Sequence, residues 1–234
     1  MANGSTLVPP VTIGLDVSDR YSFFCTLDEH GEVLAEGKFP TTAVALAQQF
    51  STLAPCRIAL EAGTHSAWMN RQLKEYAHEV VVANPRKLRL IYENIKKDDR
   101  VAAQYLARIA RLDTSLLSPI EHRDQTCLEA QVALRARDSL ISARTRFVNM
   151  IRGQLKSFGI RAPGCSAALF SARVISVIPV TLVPALEPIL CTIQELTKKI
   201  KAYDKLIEKI AQTDFPTATV LTQVNGVGTL TAVA

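Results

Sequence analysis

Three acidic positions stand where carboxylates can do metal-assisted chemistry. Asp16 closes the short apolar run Ile13-Gly14-Leu15-Asp16, and Glu61 closes a second run, Ile58-Ala59-Leu60-Glu61. The pair Asp98-Asp99 stands just ahead of a helix predicted from Arg100 to Leu112. Carboxylates at strand ends can converge on one edge of a sheet, and a later helix can bring its own across to them. Magnesium takes hard oxygen ligands in near-octahedral geometry and keeps several waters, so two or three such side chains with open positions suit it. An ion held that way orients phosphates and stabilises the charge that moves during transfer. Any one of these acids alone is an ordinary turn former. Their combination points to phosphoryl chemistry.

Other reactive side chains offer less. The five cysteines (Cys25, Cys56, Cys127, Cys165 and Cys191) are widely spaced and odd in number, with no CxxC pair, which argues against a disulfide framework or a zinc site. They read as buried, reduced thiols. His30, His65, His78 and His122 show no ligand spacing either.

The elements that must position the acids follow from hydrophobic pattern. Val11–Asp16, Tyr21–Leu27 and Val33–Phe39 are three short apolar segments joined by tight polar links, as in an antiparallel meander. Thr41 or Thr42 offers an N-cap for a helix reaching about Leu53. A strand at Arg57–Leu60, a helix from about His65 to Tyr76 and a strand at Val80–Ala83 follow, and Asn84-Pro85 opens a basic helical stretch. The order βββαβαβα predicts a mixed sheet with helices on both faces, which is the layout of an RNase H-like core. From about Ser118 the period changes to that of long helices. Leu134, Ile141, Val148 and Leu155 recur every seventh residue with Ile151 and Phe158 between them, up to about Phe158. A second run from Leu186 to Ile210 keeps three-four spacing, the seam of a coiled coil. An intramolecular antiparallel hairpin and a dimer interface fit that seam equally well. The predicted organisation is a flexible leader over residues 1–10, an α/β RNase H-like domain over 11–115 and an all-α coiled-coil hairpin over 116–214. The opening of a further domain is predicted over 215–234.

The chain has 234 residues, 48% of them hydrophobic and 21% charged, with a net charge of +5. That is ordinary globular composition, with no apolar run of the roughly 20 residues needed to cross a bilayer, and it predicts no membrane partner. Between Asn84 and Arg111 eight basic residues face three acidic ones: Arg86, Lys87, Arg89, Lys96, Lys97, Arg100, Arg108 and Arg111 against Glu93, Asp98 and Asp99. The excess in this one segment equals that of the whole chain. It serves either as a phosphate-binding surface or as a solvated helix face.

The residues Gly14-Leu15-Asp16-Val17-Ser18, Leu60-Glu61-Ala62-Gly63-Thr64, Asn84-Pro85-Arg86, the run from Lys97 to Ala107 and Arg144-Thr145-Arg146-Phe147-Val148-Asn149 together form a specific set. On these the chain resembles the IS110 family of insertion-sequence transposases, which includes Piv-type DNA invertases. The resemblance implies a RuvC-like domain with a DEDD metal site, in which Asp16, Glu61 and Asp99 match the first three acids and bind Mg2+ as catalytic and metal ligands. The fourth acid is due three residues after Asp99, one helical turn on. Ala102 occupies that position. Either Asp98 compensates or the centre is disabled; the different helix face of Asp98 favours the second.

The resemblance further implies a DNA transposase or recombinase guided by an RNA encoded by the element, in the bacterial or archaeal cytoplasm and at the nucleoid. Its partners would be DNA, that bridge RNA and a second copy joined through the coiled coil. Arg86, Lys87, Arg89, Lys96, Lys97 and Arg100 would then meet nucleic acid, as would Arg144, Arg146 and Arg152 on the long helix, with Arg135 and Arg137 as further candidates. Leu221 to Ala232 resembles the opening of the family's C-terminal domain, and its Gly226-Val227-Gly228 turn is similar to a helix-hairpin-helix turn or is a plain inter-helix link. The family's nucleophilic serine would lie beyond it, so the chain is expected to be truncated ahead of that domain. An RNase H-like junction nuclease and a non-catalytic nucleic-acid-binding module remain open as alternatives.

Overall fold

The computed structural model describes residues 10–87 and 98–233. The chain forms two compact units, residues 1–123 and 124–234.

The first unit is an α/β domain. Its strands are β1 (Thr12–Val17), β2 (Tyr21–Leu27), β3 (Val33–Pro40), β4 (Arg57–Glu61) and β5 (Glu79–Ala83). They form one five-stranded sheet in the order β3-β2-β1-β4-β5. The meander read from the sequence is present: β1 pairs antiparallel with β2, and β2 with β3. β4 and β5 join in parallel with β1. Helix α1 (Ala43–Phe50) is capped by Thr42, whose hydroxyl accepts from the Ala45 amide, while Thr41 turns its hydroxyl to the Ser18 carbonyl and to Ser22.

Alternation along the strands divides the residues between the two faces. Ile13, Leu15, Ile58 and Leu60 point to one side, where they bury with Leu46 and Phe50 of α1 and with Met69 and Leu73 of α2 (Ser66–Glu75). Phe24, Phe39 and Phe50 meet there in tilted and edge-on contacts. The opposite side is lined by small residues, because helix α3 (Asp99–Leu112) presses directly on it. A Cβ at Gly14 would run into the Ala103 carbonyl and the Ala107 amide. Ala59 and Ala83 of the sheet meet Leu106 and Ala110 of the helix in the same layer.

The sequence changes pattern near Ser118, where Pro119 breaks the chain, and the structure delays the long helix to Gln125. Ser118 is in the left-handed region (φ 45°), and residues 117–120 run beside β5, with Asn84 donating to Leu117 and Ile120 donating to Val82. Pro119 cannot extend a helix backwards, and this edge offers strand hydrogen bonds instead. Helix α4 (Gln125–Ser157) begins where Asp124 caps it, its carboxylate accepting from the Cys127 amide at 2.7 Å.

The second unit is helical. After α4 come the short α5 (Phe170–Val174) and the long α6 (Val183–Asp214). Arg137 meets Asp204, and Arg144 meets Thr197. Rising numbers on α4 thus pair with falling numbers on α6, so the two are antiparallel, the hairpin option of the two left open. Val148, Ile151 and Leu155 bury with Phe170, Val174, Leu186, Leu190 and Ile193. Phe158, placed in the seam by spacing, instead caps α4 and is exposed. Two short helices, α7 (Ala218–Leu221) and α8 (Thr229–Val233), flank the turn at Gly226, whose φ of 89° only glycine adopts easily. No helix among the described residues is long and apolar enough to cross a membrane.

Candidate active site

Asp16 lies one residue before the end of β1, and Glu61 ends the neighbouring parallel strand β4. Leu15 pairs with Leu60, so the next residue on each strand, Asp16 and Glu61, lie side by side, about 4.8 Å apart at the backbone. Both follow the small-residue positions that face α3: Asp16 lies two residues after Gly14 and Glu61 two after Ala59, so both carboxylates are on the α3 side. The close seating of α3 on Gly14 therefore decides how near Asp99, in its first turn, comes to the strand ends.

The electrostatics record that approach. Burial first, then the carboxylate of Asp99 and then that of Glu61, push the Asp16 carboxyl up from its ordinary 3.8 to about 6. Acids drawn from three separate elements thus act on one another. Among the described residues, however, no three His, Cys, Asp or Glu side chains are gathered closely enough to hold an ion. The two findings are compatible, because a group of acids can share a field without sharing a ligand sphere. The donor set, hard carboxylate oxygens with excess negative charge, fits a divalent cation of the magnesium kind.

Asp98 and Ala102 take distinct roles. Asp98 is the N-cap of α3, and its side chain accepts from the Arg100 amide at 3.0 Å. That bond occupies the carboxylate locally. Ala102, one turn beyond Asp99 and half-buried, brings no oxygen to the centre. A pair missed in the sequence stands just past the strand ends: His65 Nε2 lies 3.5 Å from Asp19, while His65 Nδ1 accepts from the Trp68 indole at 3.1 Å. Only the shared offset from Asp16 and Glu61 (three and four residues on) hints at it in the sequence.

The basic candidates divide. Arg86 and Lys87 are exposed beside the Asn84 turn. Arg89, Lys96 and Lys97 lie outside the described residues. Arg100 pairs with Glu36 at 2.9 Å, Arg108 donates to the Gly31 carbonyl and Arg111 to that of Glu29. These three tie α3 to the β2–β3 hairpin. In the helical unit Arg137 bonds Asp204, Arg144 bonds Thr197, and Arg152 stacks over the Phe170 ring at 5.2 Å and reaches the Cys165 carbonyl. Arg135 and Arg146 are exposed.

Comparison with known proteins places the chain in a family. The DEDD transposase model of the IS110 type, described as a transposase, matches residues 13–160, which include all three acids and Ala102. The transposase for insertion sequence element IS1328 of Yersinia enterocolitica is 28% identical over 96% of this chain and 67% of its own length. A probable family 20 transposase of Pseudomonas aeruginosa is 25% identical over 85% of this chain and 57% of its own. The transposase for insertion sequence element IS1111A of Coxiella burnetii is 25% identical over 95% of this chain and 61% of its own. The chain thus spans about three-fifths to two-thirds of the length of these relatives. With a family match over more than half of its residues, the chain belongs to the IS110 family of insertion-sequence transposases.

Proposed function

We propose that this chain carries the RNase H-like acidic centre of a DNA transposase, in which Asp16, Glu61 and Asp99 hold Mg2+ at the phosphate undergoing strand exchange. The bound ion would supply charge neutralisation at that phosphate. The chain's own residues do the positioning: the β1–β4 pairing holds Asp16 beside Glu61, and α3, seated on Gly14, carries Asp99 toward them. The observation that carries the reading is the placement of Asp16 beside Glu61 on paired strands, where burial first, then Asp99 and Glu61, push the Asp16 carboxyl up to about 6. Arg86, Lys87, Arg135 and Arg146, exposed and without an ion pair among the described residues, are the basic candidates best placed to meet DNA or a guide RNA. Work at the nucleoid, guidance by an element-encoded RNA and pairing with a second copy complete the proposal.

With alanine at the fourth position the centre is weakened. Ala102→Asp should restore a fourth oxygen donor on the same helix face as Asp99. Calorimetric titration with Mg2+ and Mn2+ should show binding about tenfold tighter for the variant, in line with the effect of groups that complete a metal site. Cleavage of branched DNA should rise with it. Equal metal affinity in the two proteins would remove the metal reading of this edge. A second reading, a nucleic-acid-binding module without catalysis, is favoured by the lack of a gathered ligand group among the described residues. Tight DNA or RNA binding with no metal-dependent cleavage by either protein would establish it.

A further inference from the structure

On the face of the sheet opposite the acids, α2 and the segment after Leu117 enclose a second charged cluster. Arg71 and Lys74 lie one turn apart on α2, whose Met69 and Leu73 bury in the α1-side core. Ile120 packs against the same core and donates to Val82, which brings the following residues alongside α2. His122 arrives there, close enough that Arg71 and Lys74, after burial itself, hold its imidazole below the ordinary histidine range.

Two features mark the cluster as unfinished. Arg71 Nη1 and His122 Nε2 are both shut off from water, and neither has a hydrogen-bond partner. Buried polar groups are nearly always satisfied, so two such orphans in one place call for an explanation. Neither Arg71 nor Lys74 has an ion pair among the described residues. Arg71 and Lys74 therefore carry their charge without a close carboxylate partner among the described residues. A planar guanidinium fork and an ammonium one turn apart on α2, with an imidazole within their field, offer donors that the several oxygens of a tetrahedral phosphate can accept from.

We propose that Arg71, Lys74 and His122 form a phosphate subsite that holds a nucleic-acid backbone on the α2 face of the domain, away from the acidic centre. This rests on the reading of the chain as a transposase that engages nucleic acid. It assigns to the α2 face a strand other than the one that meets Asp16, Glu61 and Asp99, which lie on the α3 side.

The test uses the whole chain with short single-stranded and duplex DNA, followed by fluorescence anisotropy across a salt series. Lys74→Ala, on an exposed residue, and Arg71→Ala should each lower the salt slope of log affinity by about one, and the double variant by about two. Arg71→Lys, which keeps the charge, should retain the slope but weaken binding severalfold through loss of the fork. Nuclear magnetic resonance of His122 supplies an independent readout: its pKa should rise when DNA binds. If the unaltered chain binds DNA while the variants keep its slope and His122 does not move, the subsite is wrong and the transposase reading stands. If His122 responds to inorganic phosphate but not to DNA, the site takes a free anion and the backbone assignment is overturned. No DNA binding by the unaltered chain overturns both. Asp16→Asn, assayed alongside, separates the two centres: it should abolish metal-dependent cleavage and leave the Arg71 and Lys74 slope effects in place.

Discussion

Asp16→Asn should make the α/β unit more stable at neutral pH, although it removes a half-buried acid of the proposed centre. The Asp16 carboxyl is pushed from 3.8 to about 6 by burial and by Asp99 and Glu61. Below about pH 4 it is protonated whether the chain is folded or unfolded, and it contributes nothing. Between about 4 and 6 the unfolded chain ionises first, so the folded state loses stability as pH rises. Above about 6 both states are ionised and the penalty is constant. A rise of roughly two units corresponds to a ceiling of about 3 kcal/mol. Asp16 is partly open to water, and screening reduces the expected penalty to about 1–2 kcal/mol. Asparagine keeps the shape and removes the charge. Trp68, the one tryptophan, packs against the core of this unit, so its fluorescence follows this unit's unfolding in urea. With a slope of about 2 kcal/mol per molar, the midpoint of Asp16→Asn should lie about 0.5–1 M above that of the parent at pH 7.5 and coincide with it at pH 4. Millimolar Mg2+ should raise the parent's midpoint and leave the variant's unchanged. A variant that is less stable at pH 7.5, or a gap of the same size at both pH values, would refute the account of how these three acids interact.

Two further outcomes test the frame around the centre. Gly14→Ala would press a methyl group into the backbone of α3 at Ala103 and Ala107, and backbone cannot yield as a flexible side chain does. The cost should be about 3 kcal/mol or more, at the top of the range for overpacking, read from the same Trp68 transition together with loss of metal binding. In the helical unit, Arg137 is 17% exposed and bonds Asp204, 37% exposed, at 2.6 Å. Arg137→Ala should cost about 1–2 kcal/mol, between exposed and fully buried ion pairs. A double-mutant cycle with Asp204→Ala, followed by thermal melting of helical circular dichroism, isolates the pair's share.

What could be read from the sequence is what local periodicity encodes. Ile13, Leu15, Ile58 and Leu60 bury on one side because a strand repeats every two residues, and the same rule turns Asp16 and Glu61 toward the other side. The three-four spacing from Leu186 to Ile210 follows in the same way from the helical repeat. The destinations of long polar side chains are not encoded locally. Arg100, Arg108 and Arg111 look like a phosphate-facing row on α3, yet the hairpin that receives them, with Glu36, Gly31 and Glu29, lies some 64 to 82 residues earlier in the chain. Arg144 and Arg152 likewise read as surface charge until α6 and α5 close over them. The pairing of residues 117–120 with β5 is not legible around Pro119, because its partner, the edge of β5, exists only once the sheet has formed. The acids were readable because strand ends fix them. Arg71, Lys74 and His122 were not, since nothing but tertiary structure brings α2 and residue 122 together. Charge along the chain is therefore a poor guide to where this protein meets a polyanion. The better guide is where folding leaves a buried nitrogen unanswered, and among the described residues that condition is met at Arg71 and His122 in the α/β unit and at Arg144 Nε in the helical one.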